Sequence, residues 1–210
     1  MEMIEVRHLS KKIKSTYVLK DICYQFEEGK IYGLFGKNGS GKTMLLRALA
    51  GLIVPTEGEV VVNGKVLHRD ISFPPSIGII IENMELLPQY DAYTNLYILS
   101  KVKKIASEGE IRKALHRVGL DPFLKTKVKK YSLGMKQRLN IAQAIFENPN
   151  IILLDEPTNA IDDEGVELVQ QILLEEKKRG ATIILASHIK GDLQHLCDVS
   201  LKMSEGKLFL

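Results

Sequence analysis

Cysteine is scarce: Cys23 and Cys197 are the only two in 210 residues. No disulfide framework is indicated, and a reducing cytosol is the expected compartment. Long hydrophobic runs are lacking as well. The longest, IGIII at 77–81, falls far short of the roughly 20 apolar residues of a membrane helix. The opening MEMIEVRHLS has no apolar segment of the signal-peptide kind, so the chain is expected not to enter a membrane by itself. Net charge is only +3, too little to imply a nucleic-acid partner. Low-complexity segments and internal repeats are absent. What remains is ordinary globular composition, 45% hydrophobic and 26% charged. The length suits one domain, or one domain with a subdomain.

Hydrophobic period divides the chain into three regions. Residues 1–70 carry short β-like runs, IEVRHL, VLKDICYQF and EGEVVVNG, with Glu-Glu-Gly and Asn-Gly as turn signals. They predict an antiparallel layer. Within it IYGLF reads as a buried strand feeding a glycine-rich loop and then a helix, TMLLRALAGL. From 83 to 148 the spacing turns helical, through Leu96, Leu99 and Ile105 and then Ile111, Leu115 and Val118. This predicts a helical insertion. From Ile151, IILLD, a helix through VELVQQILLEEKKRG, and TIILAS give the strand, helix, strand order of a parallel sheet.

Three stretches carry chemistry. GKNGSGKT at 36–43 fits G-x-x-x-x-G-K-[ST] between a strand and a helix, which points to a nucleoside triphosphate. The expected phosphate cradle is Gly36, Lys37, Asn38, Gly39, Ser40 and Gly41, continuing into Lys42, Thr43 and Met44. Its glycines can turn N–H groups toward phosphate oxygens. Lys42 is expected to bridge the β- and γ-phosphates and the Thr43 hydroxyl to bind Mg²⁺. IILLDEPTN places Asp155 at the carboxyl end of a buried strand, where ligands gather in parallel sheets. Asp155 is a candidate Mg²⁺ partner, and Glu156 a candidate base for the attacking water. YSLGMKQRL at 131–139 sets a candidate cap, Ser132, before Gly134 and two basic residues. Positive charge at a helix start is unfavourable unless an anion docks there; the alternative is a solvated basic face. Met135, Leu139, Ala142 and Phe146 form a core stripe on the helix that follows.

Taken in order, GKNGSGKT, YSLGMKQ, IILLDE, the NAID turn at 159–162 and SH at 187–188 resemble the nucleotide-binding domain of ABC transporters over all 210 residues. The resemblance implies an α/β P-loop NTPase with a RecA-like parallel-sheet core, an N-terminal antiparallel β subdomain and a helical subdomain. It places a catalytic core at 1–82 and 149–210 and the helical subdomain at 83–148. It implies ATP and Mg²⁺ as cofactors and hydrolysis catalysed by Glu156, Lys42 and His188, the last resembling the family's switch histidine. Ser132 and Gly134 keep their places in the signature, whereas Leu133 and Met135 replace its usual glycine and glutamine. Asp162 resembles the residue through which two subunits sense each other, with a helix N-cap as its plainer role. Glu82 falls where the family has a metal- or water-binding glutamine, with Gln89 as a competing assignment seven residues on. Ile13 stands where an aromatic usually stacks on adenine, and Tyr17 is an alternative; weak base discrimination is expected.

The implied partners are a second nucleotide-binding subunit, most simply a homodimer, and a separate transmembrane subunit. No nucleic acid is expected. The chain would sit on the inner face of the cell membrane through its membrane subunit. Glu82 resembles a subset of bacterial ATPases tied to peptide-antibiotic export or self-immunity. Two alternatives are a non-transport relative acting on DNA or ribosomes and a regulatory module whose output is ATP-driven association. A long coiled-coil insertion or a second nucleotide domain, usual in the former, is absent from these 210 residues.

Overall fold

The computed structural model describes residues 4–82, 86–188 and 193–210. In chain order the first elements are strands β1 (Ile4–Ile13), β2 (Thr16–Phe26) and β3 (Ile31–Phe35), helix α1 (Lys42–Leu49), and strands β4 (Glu57–Val62), β5 (Lys65–Val66) and β6 (Ile77–Ile80). Helices α2 (Ala92–Lys103), α3 (Glu108–Arg117) and α4 (Leu133–Ile145) follow. The chain closes with β7 (Ile151–Asp155), α5 (Asp163–Lys178), β8 (Thr182–Ser187), β9 (Val199–Ser204) and β10 (Lys207–Phe209).

The first sheet is antiparallel, ordered β2-β1-β4-β5. Asn63 and Gly64 both take left-handed backbone between β4 and β5, as a two-residue hairpin requires. The second sheet is ordered β10-β9-β3-β8-β7-β6, parallel except for the β9–β10 hairpin. Its central strands β3, β7 and β8 are apolar on both faces because both are covered. Along β8, Ile183 and Leu185 join the core under the helices, while Ile184 and Ala186 join the core shared with α1 and the first sheet. Helices α2 to α5 contribute Leu96, Ile111, Leu139 and Leu173 to the former. The expected α/β fold with its antiparallel layer and helical region is what the chain adopts.

Three details depart from expectation. The run TMLLRALAGL is helical only to Leu49, and Gly51 turns the chain with φ +75°. Ile105 is not part of a helical stripe: α2 ends at Lys103, Lys104 takes the left-handed region, and Ile105 is 60% exposed. The C-terminal strands β9 and β10 were not expected. Meanwhile α4 lies directly on the sheet, since a Cβ on Gly78 of β6 would fall 1.8 Å from the Ala144 carbonyl oxygen.

Register positions the cleft. Phe35 pairs with Ser187 and Asp155 with Ala186, so the carboxyl ends of β3, β7 and β8 finish level. The loops that leave them carry residues 36–41, Glu156 and His188.

Candidate functional site

Gly41 starts α1 with φ +108°, and a Cβ there would press on the Val18 carbonyl oxygen at 2.9 Å. Only glycine meets both conditions. The first turn of α1 carries no acidic residue, so its positive end is left for an anion. Ser40 donates its backbone N–H to the Lys37 carbonyl at 3.1 Å, rounding the loop. The Lys42 ammonium is buried and donates to the carbonyls of Gly36 (2.7 Å) and Lys37 (3.3 Å). A cavity of about 300 Å³ opens over this loop, lined by Asn38, Gly39 and Gly41 to Met44, with Val18, Asp155 and Glu156.

The Thr43 hydroxyl donates to Asp155 Oδ2 at 2.6 Å. Burial pushes the Asp155 carboxyl above its ordinary value; the Thr43 hydrogen bond opposes this, and the neighbouring negative charge of Glu156 adds to it. Glu156 stands at φ +49°, a left-handed conformation costing a residue with a Cβ about 1–2 kcal/mol. Its carboxylate is held on both oxygens. Oε1 accepts from the His188 backbone N–H at 3.0 Å and lies 2.8 Å from His188 Nδ1, and Oε2 accepts from the Ser187 hydroxyl at 3.3 Å. A short-range strained loop and a strand end thus fix one carboxylate beside the cavity.

Other predicted residues fall elsewhere. Glu82, at φ +57°, forms an ion pair with Arg47; its charge is felt at Asp155. It lines a second cavity of about 540 Å³ with Leu133, Lys136, Gln137 and Ala160. Gln89 is exposed and lines neither cavity. Ile13 and Tyr17 are 44% and 37% exposed and also stand outside the lining of the phosphate-loop cavity. The Tyr17 hydroxyl donates to Glu57 at 3.2 Å. Val18, one residue on, supplies that wall instead.

Ser132 caps α4, accepting from the Met135 N–H at 3.1 Å. Gly134 packs closely on the turn before α5, where a Cβ would sit 3.1 Å from the Ala160 carbonyl oxygen. Asp162 caps α5, accepting from the Gly165 N–H at 3.0 Å, and also pairs with Arg138 at 3.2 Å. Ser132, Gly134 and Asp162 line one further cavity, of about 530 Å³, which shares no residue with the lining over the phosphate loop. Leu133 is 71% exposed beside it.

Sequence reasoning passed over Val18 and Gln137, and gave Ser187 no role beyond its place in the SH pair. Gln137 donates to the carbonyls of Glu156 (3.3 Å) and Pro157 (3.1 Å), tying α4 to the strained loop. Its only signal was its place two residues beyond Met135.

The family model described as ABC transporter matches residues 19–159. The chain belongs to the ABC transporter family. It is an ATP-binding, ATP-hydrolysing subunit of that family. An uncharacterized ABC transporter ATP-binding protein of Bacillus subtilis (strain 168), YybJ, is 68% identical over 98% of this chain and 94% of its own length. The lantibiotic transport ATP-binding protein SrtF of Streptococcus pyogenes is 35% identical over 99% and 90%. Among solved structures, the dimeric bacterial ABC transporter cassette MJ0796 matches with a TM-score of 0.89, covering 99% of this chain and 97% of that one at 24% identity; this likeness concerns the fold. Among the described residues, no helix of this ABC ATPase is long and apolar enough to cross a membrane.

Proposed function

We propose that two copies of this ABC ATPase close head to tail on ATP and Mg²⁺ and drive a separate membrane subunit that exports a peptide antibiotic or gives immunity to one. The observation that carries the hydrolytic part is the level row of Thr43–Asp155 and Glu156–His188 at the mouth of one glycine-rich loop. The loop N–H groups from Gly36 to Thr43 take the phosphates. Lys42 exchanges its two carbonyl bonds for phosphate oxygens, and Glu156 accepts a proton from the attacking water while His188 and Ser187 hold it in place.

The donor set fits Mg²⁺, which takes oxygen ligands. Asp155 is a half-buried carboxylate whose pKa is raised chiefly by its burial, with the negative charges of Glu156 and Glu82 adding to it, so a bound cation would relieve it. Thr43 and Asp155 would hold the ion, which supplies charge neutralisation for the transferred phosphoryl group. Glu82 would be a further oxygen donor toward the ion if it were released from its pair with Arg47.

Two observations support a dimer. The cavity at Ser132, Gly134 and Asp162 shares no lining with the chain's own phosphate loop, so these residues can complete the site of a partner. The MJ0796 cassette is a dimer of the same fold. Adenine would lie against Val18, which lines the loop cavity, with Ile13 outside that lining and no stacking ring in it. An apolar groove of about 340 Å³, bordered by exposed Leu52, Phe73 and Val102 between β6 and α2, fits a cytoplasmic segment of the membrane subunit, which would hold the ATPase at the inner membrane face. The peptide cargo follows from SrtF and the Glu82 resemblance. We retain 1–82 with 149–210 as core and 83–148 as helical subdomain.

The test is co-reconstitution with a candidate transmembrane subunit, measuring phosphate release against a panel of lantibiotic-like peptides. Peptide-stimulated turnover is expected. ATP-dependent dimerisation without turnover would instead mark a regulatory module.

A further inference from the structure

Outside the cleft, His8 on β1 and Asp21 and Cys23 on β2 form a cluster of metal-ligating side chains. All three are exposed, and their ligand atoms lie within 4.8 Å of one another. His8 Nδ1 and Asp21 Oδ1 are 2.8 Å apart.

The sheet is deformed in a way that gathers them. Ile4 and Val6 are buried, so strict alternation would send His8 inward. Instead Val6 pairs with Tyr24 and Leu9 with Ile22, leaving Arg7 and His8 opposite Cys23 alone. This bulge buries Leu9 in His8's place and turns the imidazole outward. A second register shift, between Leu9 and Lys11, accompanies left-handed backbone at Asp21 (φ +45°), as His8 (φ +48°) accompanies the first. Asp and His are among the side-chain-bearing residues that adopt such backbone most readily. The neighbouring strand accommodates the first bulge through Gly58, at φ +74°, where a Cβ would lie 2.2 Å from the His8 carbonyl oxygen.

The ligands are also held from behind. His8 donates its backbone N–H to Cys23 Sγ at 3.2 Å, and Asp21 donates its own to the buried Ser10 hydroxyl at 3.0 Å. Arg7, next to His8 in sequence, is drawn away by Glu5 and Glu59.

We propose that His8, Asp21 and Cys23 bind a divalent ion of the Zn²⁺ class, with water as the fourth ligand. One imidazole, one thiolate and one carboxylate are a borderline donor set that suits Zn²⁺ and not Mg²⁺. Tetrahedral bonds of about 2.0 Å to nitrogen or oxygen and about 2.3 Å to sulfur put ligand atoms about 3.3–3.5 Å apart. That spacing lies between the 2.8 Å and 4.8 Å of the cluster, so side-chain adjustment alone closes the site. The ion staples β1 to β2 where both are bulged.

The purified full chain, in excess Mg²⁺, is titrated with Co²⁺ and then Zn²⁺. Thiolate-to-cobalt charge-transfer absorption should saturate at one equivalent and disappear on Zn²⁺ addition. Cys23→Ser should abolish the band, and His8→Ala should weaken Zn²⁺ binding by roughly tenfold or more, each with an unchanged circular dichroism spectrum and melting temperature in the metal-free state. Cys197→Ser should leave band and affinity unchanged. No band in the wild type, a band that survives Cys23→Ser, or one lost only in Cys197→Ser would overturn the assignment.

Discussion

Replacing Glu156 by glutamine removes a base while leaving the shape of the site. The amide oxygen can still accept the His188 N–H now made at 3.0 Å, and the amide NH₂ can donate to the Ser187 hydroxyl oxygen at the 3.3 Å position. Neither bond reaches the phosphate cradle, so ATP affinity should stay within about threefold of wild type, under 1 kcal/mol. Proton transfer from water loses its acceptor. General base catalysis contributes about 10²–10⁴ in rate, which is about 3–5 kcal/mol of barrier. Single-turnover phosphate release should therefore slow by that factor, with nucleotide binding intact and the ATP-bound dimer accumulating in light scattering. A variant that releases phosphate within threefold of wild type would refute the base assignment. One that fails to bind ATP would refute the claim that the Glu156 network stands apart from the phosphate cradle.

Asp155→Asn removes a half-buried anion that burial disfavours. Because the folded-state value of Asp155 lies above the unfolded one, its charge penalises folding at high pH and the penalty fades as pH falls through the folded value. The nucleotide-free variant should melt higher than wild type at pH 7, lose that advantage under acidic conditions, and lose Mg²⁺-dependent ATP binding; a pH series of melting curves with and without MgATP checks all three. Gly78→Ala drives a Cβ to 1.8 Å from the Ala144 carbonyl oxygen and should destabilise by about 3 kcal/mol, the upper part of the overpacking range, measured by urea unfolding. GTP should bind within about tenfold of ATP, since an aliphatic wall gives little more than about 1 kcal/mol of discrimination. A strong ATP preference that Tyr17→Ala erases would transfer the adenine contact to the tyrosine.

Residues whose chemistry demands one side-chain type at a strand end were legible from sequence: Lys42, Thr43, Asp155, Glu156 and His188 are brought together by the level ends of β3, β7 and β8. The α/β fold was legible for the same reason, since IYGLF, IILLD and TIILAS are buried on both faces and read as such. Val18 was not legible because it acts through position. It borders the phosphate loop only because β2, from the other sheet, passes beside Gly41 and Gly206, a crossing no local pattern encodes. Ile105 failed for a related reason: α2 is stopped by Lys104 in left-handed backbone, where glycine or asparagine is the usual signal.

The signature helix shows where local and long-range information meet. Ser132 as a cap is local, and the structure makes that bond. The basic residues behind it looked like one anion site, yet Arg138 is engaged by Asp162, while Lys136 faces the cavity that contains Glu82. Less positive charge is therefore directed at the helix start than its sequence suggests. In the proposed dimer the remaining attraction would come from the N–H groups of α4 and the Ser132 hydroxyl, which depend on backbone geometry; the structure gives no reason for Leu133 and Met135 in place of glycine and glutamine. On that argument Arg138→Ala should loosen Asp162 and the turn before α5 more than it weakens ATP-driven association.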